Sequence, residues 1–188
     1  MHRRKRILLI GNCEYELLGL SHLLVCMGYA VVRRPNVSLG RKGYDLTLVA
    51  LSAELLAGWG RHLQRVRKLY AANPVPMVLL VPSRLKGMTL LRGTAQVING
   101  RYNLSKLRTM LQQAFKGASD PEPAGELTCH QKKALMSLRM AINCNASQEV
   151  TPHKDYYLRS RLVEHVGVKN LHVLCVSGLL SEVNCWQE

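Results

Sequence analysis

A chain of 188 residues that is 47% hydrophobic and 20% charged can bury one large core or two small ones, and it is not compositionally disordered. Aromatic residues make up only 5%, so that core must be built from Leu, Val, Ile and Met. The formal net charge of +14 is unevenly placed, because residues 1–119 hold 19 Lys and Arg against 4 acids whereas residues 120–188 hold 7 against 8; a surplus of this size points to an anionic partner such as nucleic acid, a membrane surface or an acidic protein.

The opening MHRRKRILLIG sets a basic run before apolar residues, as a signal peptide does. Its apolar run, Ile7–Ile10, is too short for that role, and Glu14 and Glu16 follow at once. No stretch approaches the roughly 18 apolar residues a membrane helix needs. A soluble, cytoplasmic protein with no membrane partner is expected. Ile7–Ile10 is instead a buried-strand candidate, closed by Gly11. Glu16–Met27 places apolar residues at 17, 18, 20, 23, 24 and 27, which is helical spacing. Tyr29–Val32 and Leu46–Leu51 are the next strand candidates, and Leu55–Leu69 is a helix candidate with Leu55, Trp59, Leu63, Val66 and Leu69 on one face. Met77–Val81 and Gln96–Ile98 complete five strand candidates. Leu104–Phe115 is helical in pattern, with Asn103 as N-cap.

Continuous apolar strands separated by helices imply a parallel sheet covered on both faces, that is, a doubly wound α/β unit. We assign it to residues 1–116. The run GASDPEPAG at 117–125 is a linker, and residues 126–188 form a small all-α unit. In that unit Leu127–Leu138 is helical in pattern, with Thr128 and Gln131 as a capping box. Thr151-Pro152 starts a helix that ends near His165, before Gly167, and Leu171–Val183 is a last, mostly apolar helix. Six cysteines, at 13, 26, 129, 144, 175 and 185, form no CxxC pair and are read as reduced thiols. No metal ligand set, cofactor motif or catalytic constellation is visible, and an enzyme is not expected.

The segment ILLIGNCEYELLGL at 7–20 resembles the first strand and turn of response-regulator receiver domains. That resemblance implies two acids after the first strand to hold Mg²⁺, an acceptor Asp ending the third strand, a Ser or Thr after the fourth and a Lys after the fifth. In this chain the acid-pair positions fall on Gly11 and Asn12, or one residue later, and neither option supplies two carboxylates. The acceptor position in YDLTLVALS falls on Ala50. The switch hydroxyl position falls on Val81, with Ser83 near, and after the fifth strand Asn99 is the nearest polar residue. The alternative is an unrelated flavodoxin-like unit; both exclude phosphorylation chemistry.

The segment YLRSRLVEHVGVKNLHVL at 157–174 resembles the end of the recognition helix, the Gly-Val-Lys-Asn turn and the fourth helix of LuxR/FixJ-type (NarL-like) helix-turn-helix domains, and Leu127-Thr128 matches their opening. The distance from Leu127 to Gly167 is about three residues shorter than usual, and the missing residues fall near the scaffold helix, around 143–148. Carried over by register, the resemblance implies double-stranded DNA contact by Thr151, His153, Lys154, Tyr157, Arg159 and Arg161, with Lys132 and Lys133 against the backbone. The same basic residues would equally serve as a solvated helix face. Leu171, Leu174, Cys175 and Leu179 fall where the family has its dimer seam, although ordinary core is an equal use for some of them. Taken together, the chain is similar to the atypical LuxR-type auxiliary regulators of enteric bacteria, which carry a degenerate receiver domain. The resemblance implies a non-phosphorylatable transcription regulator, acting as a homodimer or as a heterodimer with a response regulator. The alternative is an antagonist that binds a response regulator with little DNA contact of its own.

Overall fold

The computed structural model describes residues 4–34, 43–117, 128–129, 132–133, 135–136 and 153–182, with the backbone alone for 153–155 and 158. Five strands form one parallel sheet: β1 Arg6–Gly11, β2 Ala30–Arg34, β3 Leu46–Ala50, β4 Met77–Val81 and β5 Gln96–Asn99. Their order across the sheet is β2-β1-β3-β4-β5, the doubly wound arrangement in which the strand order reverses between β1 and β3. At that switch point Ile7 pairs with Leu46 and Gly11 with Ala50. The central strands β3 and β4 are buried at every residue, which is why β4 is an unbroken apolar run and β3 is apolar but for Thr47. The edge strand β2 is half-buried and carries Arg33 and Arg34.

Successive residues of a strand face opposite sides, so the sheet has two separate cores. Ile7, Leu9, Leu48, Val78, Leu80 and Ile98 pack beneath α1, Glu14–Cys26, and α3, Leu104–Lys116. Asn103 caps α3 as its position predicts: Lys106 N–H donates to its side-chain oxygen at 2.9 Å. Leu8, Ile10, Val49, Leu79 and Val81 face the other way, toward α2, Arg61–Ala72. The helix expected over Leu55–Leu69 therefore starts late. Residues 55–60 form turns instead, with Gly58 at φ +67°.

Between β4 and β5 the chain makes only one 3-10 turn, Ser83–Leu85, followed by further turns. Among the described residues of the α/β unit no α-helix lies between β4 and β5 to cover that part of the second face. The C-terminal helices do so: α4, His153–Val166; α5, Leu171–Val176; and α6, Leu179–Glu182. Leu162, Val166, Val173, Leu174, Leu179 and Leu180 belong to the same buried cluster as Trp59, Leu63, Leu85, Met88 and Leu91. The single final helix expected over Leu171–Val183 is broken at Ser177-Gly178, where Gly178 takes φ +71°. The break frees two carbonyls for other donors: Gly58 N–H donates to Val176 O at 3.0 Å, and Gly60 N–H to Ser177 O at 2.7 Å.

Two glycine pairs let the backbones approach this closely. A Cβ on Gly60 would lie 2.6 Å from Gly178 O, and one on Gly167 would overlap the carbonyl of Gly87. Gly167, expected as the residue after the helix, does adopt φ +73°. Thr89 closes the joint, its N–H donating to Val166 O at 3.0 Å and its hydroxyl to His165 O. Asn170 caps α5, its side-chain oxygen accepting from Val173 N–H at 2.9 Å. Of the helix expected at 127–138, residues 129, 132, 133, 135 and 136 are helical, and Leu135 is buried in the shared core. The scaffold segment near 143–148, the capping residue Gln131 and Cys144 and Cys185 lie outside the described residues.

Candidate functional site

In doubly wound sheets a ligand sits beyond the carboxyl ends of the strands, at the switch point. Here that position lies beyond Gly11 of β1 and Ala50 of β3. A side chain at Gly11 has no room, since a Cβ there would meet Ala50 O at 2.6 Å. Ala50 offers only a buried methyl group. Asn12 is exposed and turned aside, its amide donating to Glu54 Oε1 at 3.0 Å.

Just beyond the end of β3 lies Glu16, in the first turn of α1. Its carboxylate accepts from Ser52 N–H at 3.2 Å, from the Ser52 hydroxyl at 2.5 Å and from Ala53 N–H at 3.3 Å. From the far side Arg101, two residues past β5, donates through Nε to Ser52 O at 3.2 Å, and its own N–H donates to Asn99 Oδ1 at 3.0 Å. Gly100 makes this possible, because a Cβ there would run into the Ser52 side chain. A charge-assisted bond to a carboxylate is roughly twice as strong as a neutral one, so Glu16 grips the start of the β3–α2 loop firmly. Further along, the ring of His62 lies buried against Trp59, with Nε2 3.5 Å from Glu54 Oε2. Burial lowers the His62 pKa from its usual value; Glu54 opposes that shift, and Arg61 and Arg65 add to it.

Gly11 and Ala50 are paired at the strand ends, with Asn12 next in the chain. Sequence reasoning missed Glu16, Ser52 and Arg101. The available signal was a cation just beyond the fifth strand, in Arg101, and a hydroxyl two residues beyond the third. Among the described residues no group of three His, Cys, Asp or Glu side chains could hold a metal. The thiols of Cys13, Cys26, Cys129 and Cys175 are free.

The second candidate surface is α4. In its last turns Leu162 and Val166 are fully enclosed. Its outward side carries Tyr156 and Tyr157, at 69% and 54% exposure, and Arg161. The Arg161 guanidinium lies over the Tyr157 ring, donates to its hydroxyl at 3.0 Å and pairs with Glu164 at 3.0 Å. These hydrogen bonds, that to Tyr157 first, raise the pKa of Arg161 further. Arg159 is half-buried. The backbone of His153 and Lys154 forms the first turn of α4, and Thr151 lies outside the described residues. Lys133 is exposed and Lys132 half-buried on the helical segment near 129–136. Of the expected seam residues, Leu174 and Leu179 are fully buried inside the shared core, while Leu171 and Cys175 keep partial exposure. Burial also raises the Cys175 thiol pKa.

No family model matches the chain, and no curated protein matches it by sequence. Solved structures do resemble it. The response regulator RcsB, in a complex with DNA, aligns over 97% of this chain and 100% of that one, with 12% identity and a TM-score of 0.59. A response regulator from Thermotoga maritima aligns over 61% of this chain and 100% of that one, with 15% identity and a TM-score of 0.50. At such identities the likeness is one of fold: a receiver-like α/β unit, extended in the first case to the helices that follow it. No helix among the described residues is long and apolar enough to cross a membrane.

Proposed function

We propose that this chain is a non-phosphorylatable transcription regulator of the atypical LuxR type, which binds double-stranded DNA as a homodimer or as the auxiliary partner of a response regulator. On this reading residues 1–116 are a pseudo-receiver, 117–125 a linker and 126–188 the helix-turn-helix unit, and neither metal nor cofactor takes part. The observation that carries the reading is the pairing of an acceptor position occupied by Ala50, two residues before the Ser52 that Glu16 holds, with a helix, α4, that keeps Tyr156, Tyr157 and Arg161 exposed. Alanine has no oxygen with which to accept a phosphoryl group. The N-terminal half of α4 would enter the major groove, with Thr151, His153, Lys154 and Tyr157 toward base edges. Arg159, Arg161, Lys132 and Lys133 would meet phosphates. For a seam along α5, Leu171 and Cys175 retain free surface.

Selection of duplexes from a randomised pool by the full-length protein, alone and with a response regulator, tests this reading. Lys154→Ala and Arg159→Ala should then weaken binding to the selected site by about 1–3 kcal/mol each if they touch bases, and mainly flatten the salt dependence if they touch phosphates. Incubation with acetyl phosphate should leave the mass of the protein unchanged.

A second reading, an antagonist that docks on an acidic response regulator, is favoured by the charge distribution. The surplus lies in residues 1–119, whereas the helix-turn-helix segment is near neutral and phosphate neutralisation supplies most non-specific DNA affinity. If both variants bind and regulate like the parent, this second reading replaces the first.

A further inference from the structure

The β3–α2 loop, residues 51–60, is fastened at both ends, and the two fastenings belong to different parts of the molecule. At its start Leu51 N–H donates to Leu80 O at 3.0 Å, and Ser52 and Ala53 present their N–H groups and the Ser52 hydroxyl to Glu16. At its end Gly58 and Gly60 donate to Val176 and Ser177, the carbonyls freed by the break between α5 and α6. Trp59, fully buried between these two glycines, ties the ends together by donating from Nε1 to Leu51 O at 3.4 Å. Asn12 and His62 both reach the middle of the loop at Glu54. The loop is therefore a short, internally braced bridge from the strand ends to the C-terminal helices.

We propose that Glu16 is a built-in anion that sets this bridge: its carboxylate fixes Ser52 and Ala53, and through the braced loop it holds Gly58 and Gly60 in position to dock the C-terminal helices. Three donors converge on one carboxylate, while Arg101 grips the Ser52 carbonyl from the opposite side. Ser52 is only 5% exposed, so removing Glu16 leaves buried donors without their acceptor, an arrangement that favours displacement of the loop. Glu16 itself is rigidly placed, because Leu17 and Leu20 bury α1 against the sheet on its other side. Glu16 is thus a positioning residue for the joint between the two halves.

The test is amide hydrogen exchange in the full-length protein. Glu16→Ala should speed exchange at Gly58 and Gly60 by about tenfold or more relative to the strand amides of Leu48 and Leu79. Acetate at about 0.1 M, a small carboxylate able to enter the vacated space, should restore their protection in Glu16→Ala and leave the parent unchanged. Glu16→Gln, which keeps the shape and one acceptor oxygen, should fall between parent and Glu16→Ala, and Ser52→Ala should show the smallest change. Unchanged protection at Gly58 and Gly60 when Ser52 and Ala53 have been freed would overturn the proposal, as would failure of acetate to rescue. If Glu16→Ala unfolds the whole chain, Glu16→Gln and Ser52→Ala decide: a rise at Gly58 and Gly60 above that at Leu48 supports the proposal, and a uniform rise defeats it.

Discussion

The two faces of the sheet are covered in different ways. On one face α1 and α3 come from the α/β unit itself, each packed close in sequence to the strands it shields, and they enclose Leu9, Leu48 and Leu111 completely. On the other face α2 provides part of the cover, and α4, α5 and α6 provide the rest from about 100 residues further along the chain. The first face is self-sufficient, whereas the second depends on the C-terminal helices. The polar contacts follow the same division. The second face carries the inter-half bonds from Gly58, Gly60 and Thr89, the Gln64 amide donating to Glu182 Oε1 at 3.2 Å, and Arg67 against the same carboxylate at 3.6 Å. Two surfaces of similar composition thus differ in whether their partner is local, and this makes the C-terminal half structural as well as a candidate reader of DNA.

The most severe way to break this comparison is to remove the distant cover. A fragment ending at residue 117 should lose cooperative unfolding and bind a hydrophobic dye, because Leu85, Met88, Leu91 and Trp59 would face water. Cooperative melting of that fragment near the parent midpoint would show that the second face is self-sufficient after all. A single-residue version is Leu162→Ala, which empties a fully buried position and should cost about 2–5 kcal/mol in denaturant titration. The loss should appear in the same transition that melts the sheet; two separated transitions would mean that the halves do not share a core.

A smaller effect separates the docking glycines from ordinary turn glycines. Gly167→Ala combines a positive φ with an overlap on Gly87 and should cost about 1–3 kcal/mol. Gly28→Ala, at φ +88° with open space around it, should cost about 1–2 kcal/mol from backbone strain alone and leave the joint intact. Equal exchange protection at Gly60 in the two variants would remove the distinction.

The smallest effect is that of pH. His62 and His165 lie on the second face, and burial lowers both pKa values, with Arg92 reinforcing the shift at His165. The unfolded chain then binds protons before the folded one does. Stability is intact above about pH 6.5 and declines below it, by at most about 1.4 kcal/mol per pH unit for each group. His62→Gln should flatten that decline in urea titrations from pH 7 to pH 5; an unaltered slope would place the sensitivity elsewhere.

Much of the α/β unit was legible in the sequence. Met77–Val81 is an unbroken apolar run, and Leu46–Ala50 is apolar but for Thr47, because both are buried on both sides. Asn103 and Gly167 announced their helix ends, since capping depends on residues three or four positions away. The start of α2 was misplaced. The apolar spacing of Leu55 and Trp59 continues the helical pattern, while Gly58 at positive φ and the contacts of Gly58 and Gly60 with α5 hold the segment in turns. The break at Gly178 escaped for a related reason: the carbonyls it frees are met by donors distant in sequence, Gly58 and Gly60.

By itself the sequence determined what depends on neighbours: the strands, several helix ends and the cap at Asn103. Only the tertiary structure decided which surfaces meet. The apolar stripe through Leu162, Val166 and Leu174 states that these residues will be buried but not against what, because the hydrophobic effect has no direction and rewards any dry partner. The same holds for Glu16. Nothing within one turn of α1 indicates that its carboxylate will accept from Ser52 and Ala53, 36 and 37 residues away, until the parallel pairing of β1 with β3 brings the two strand ends together.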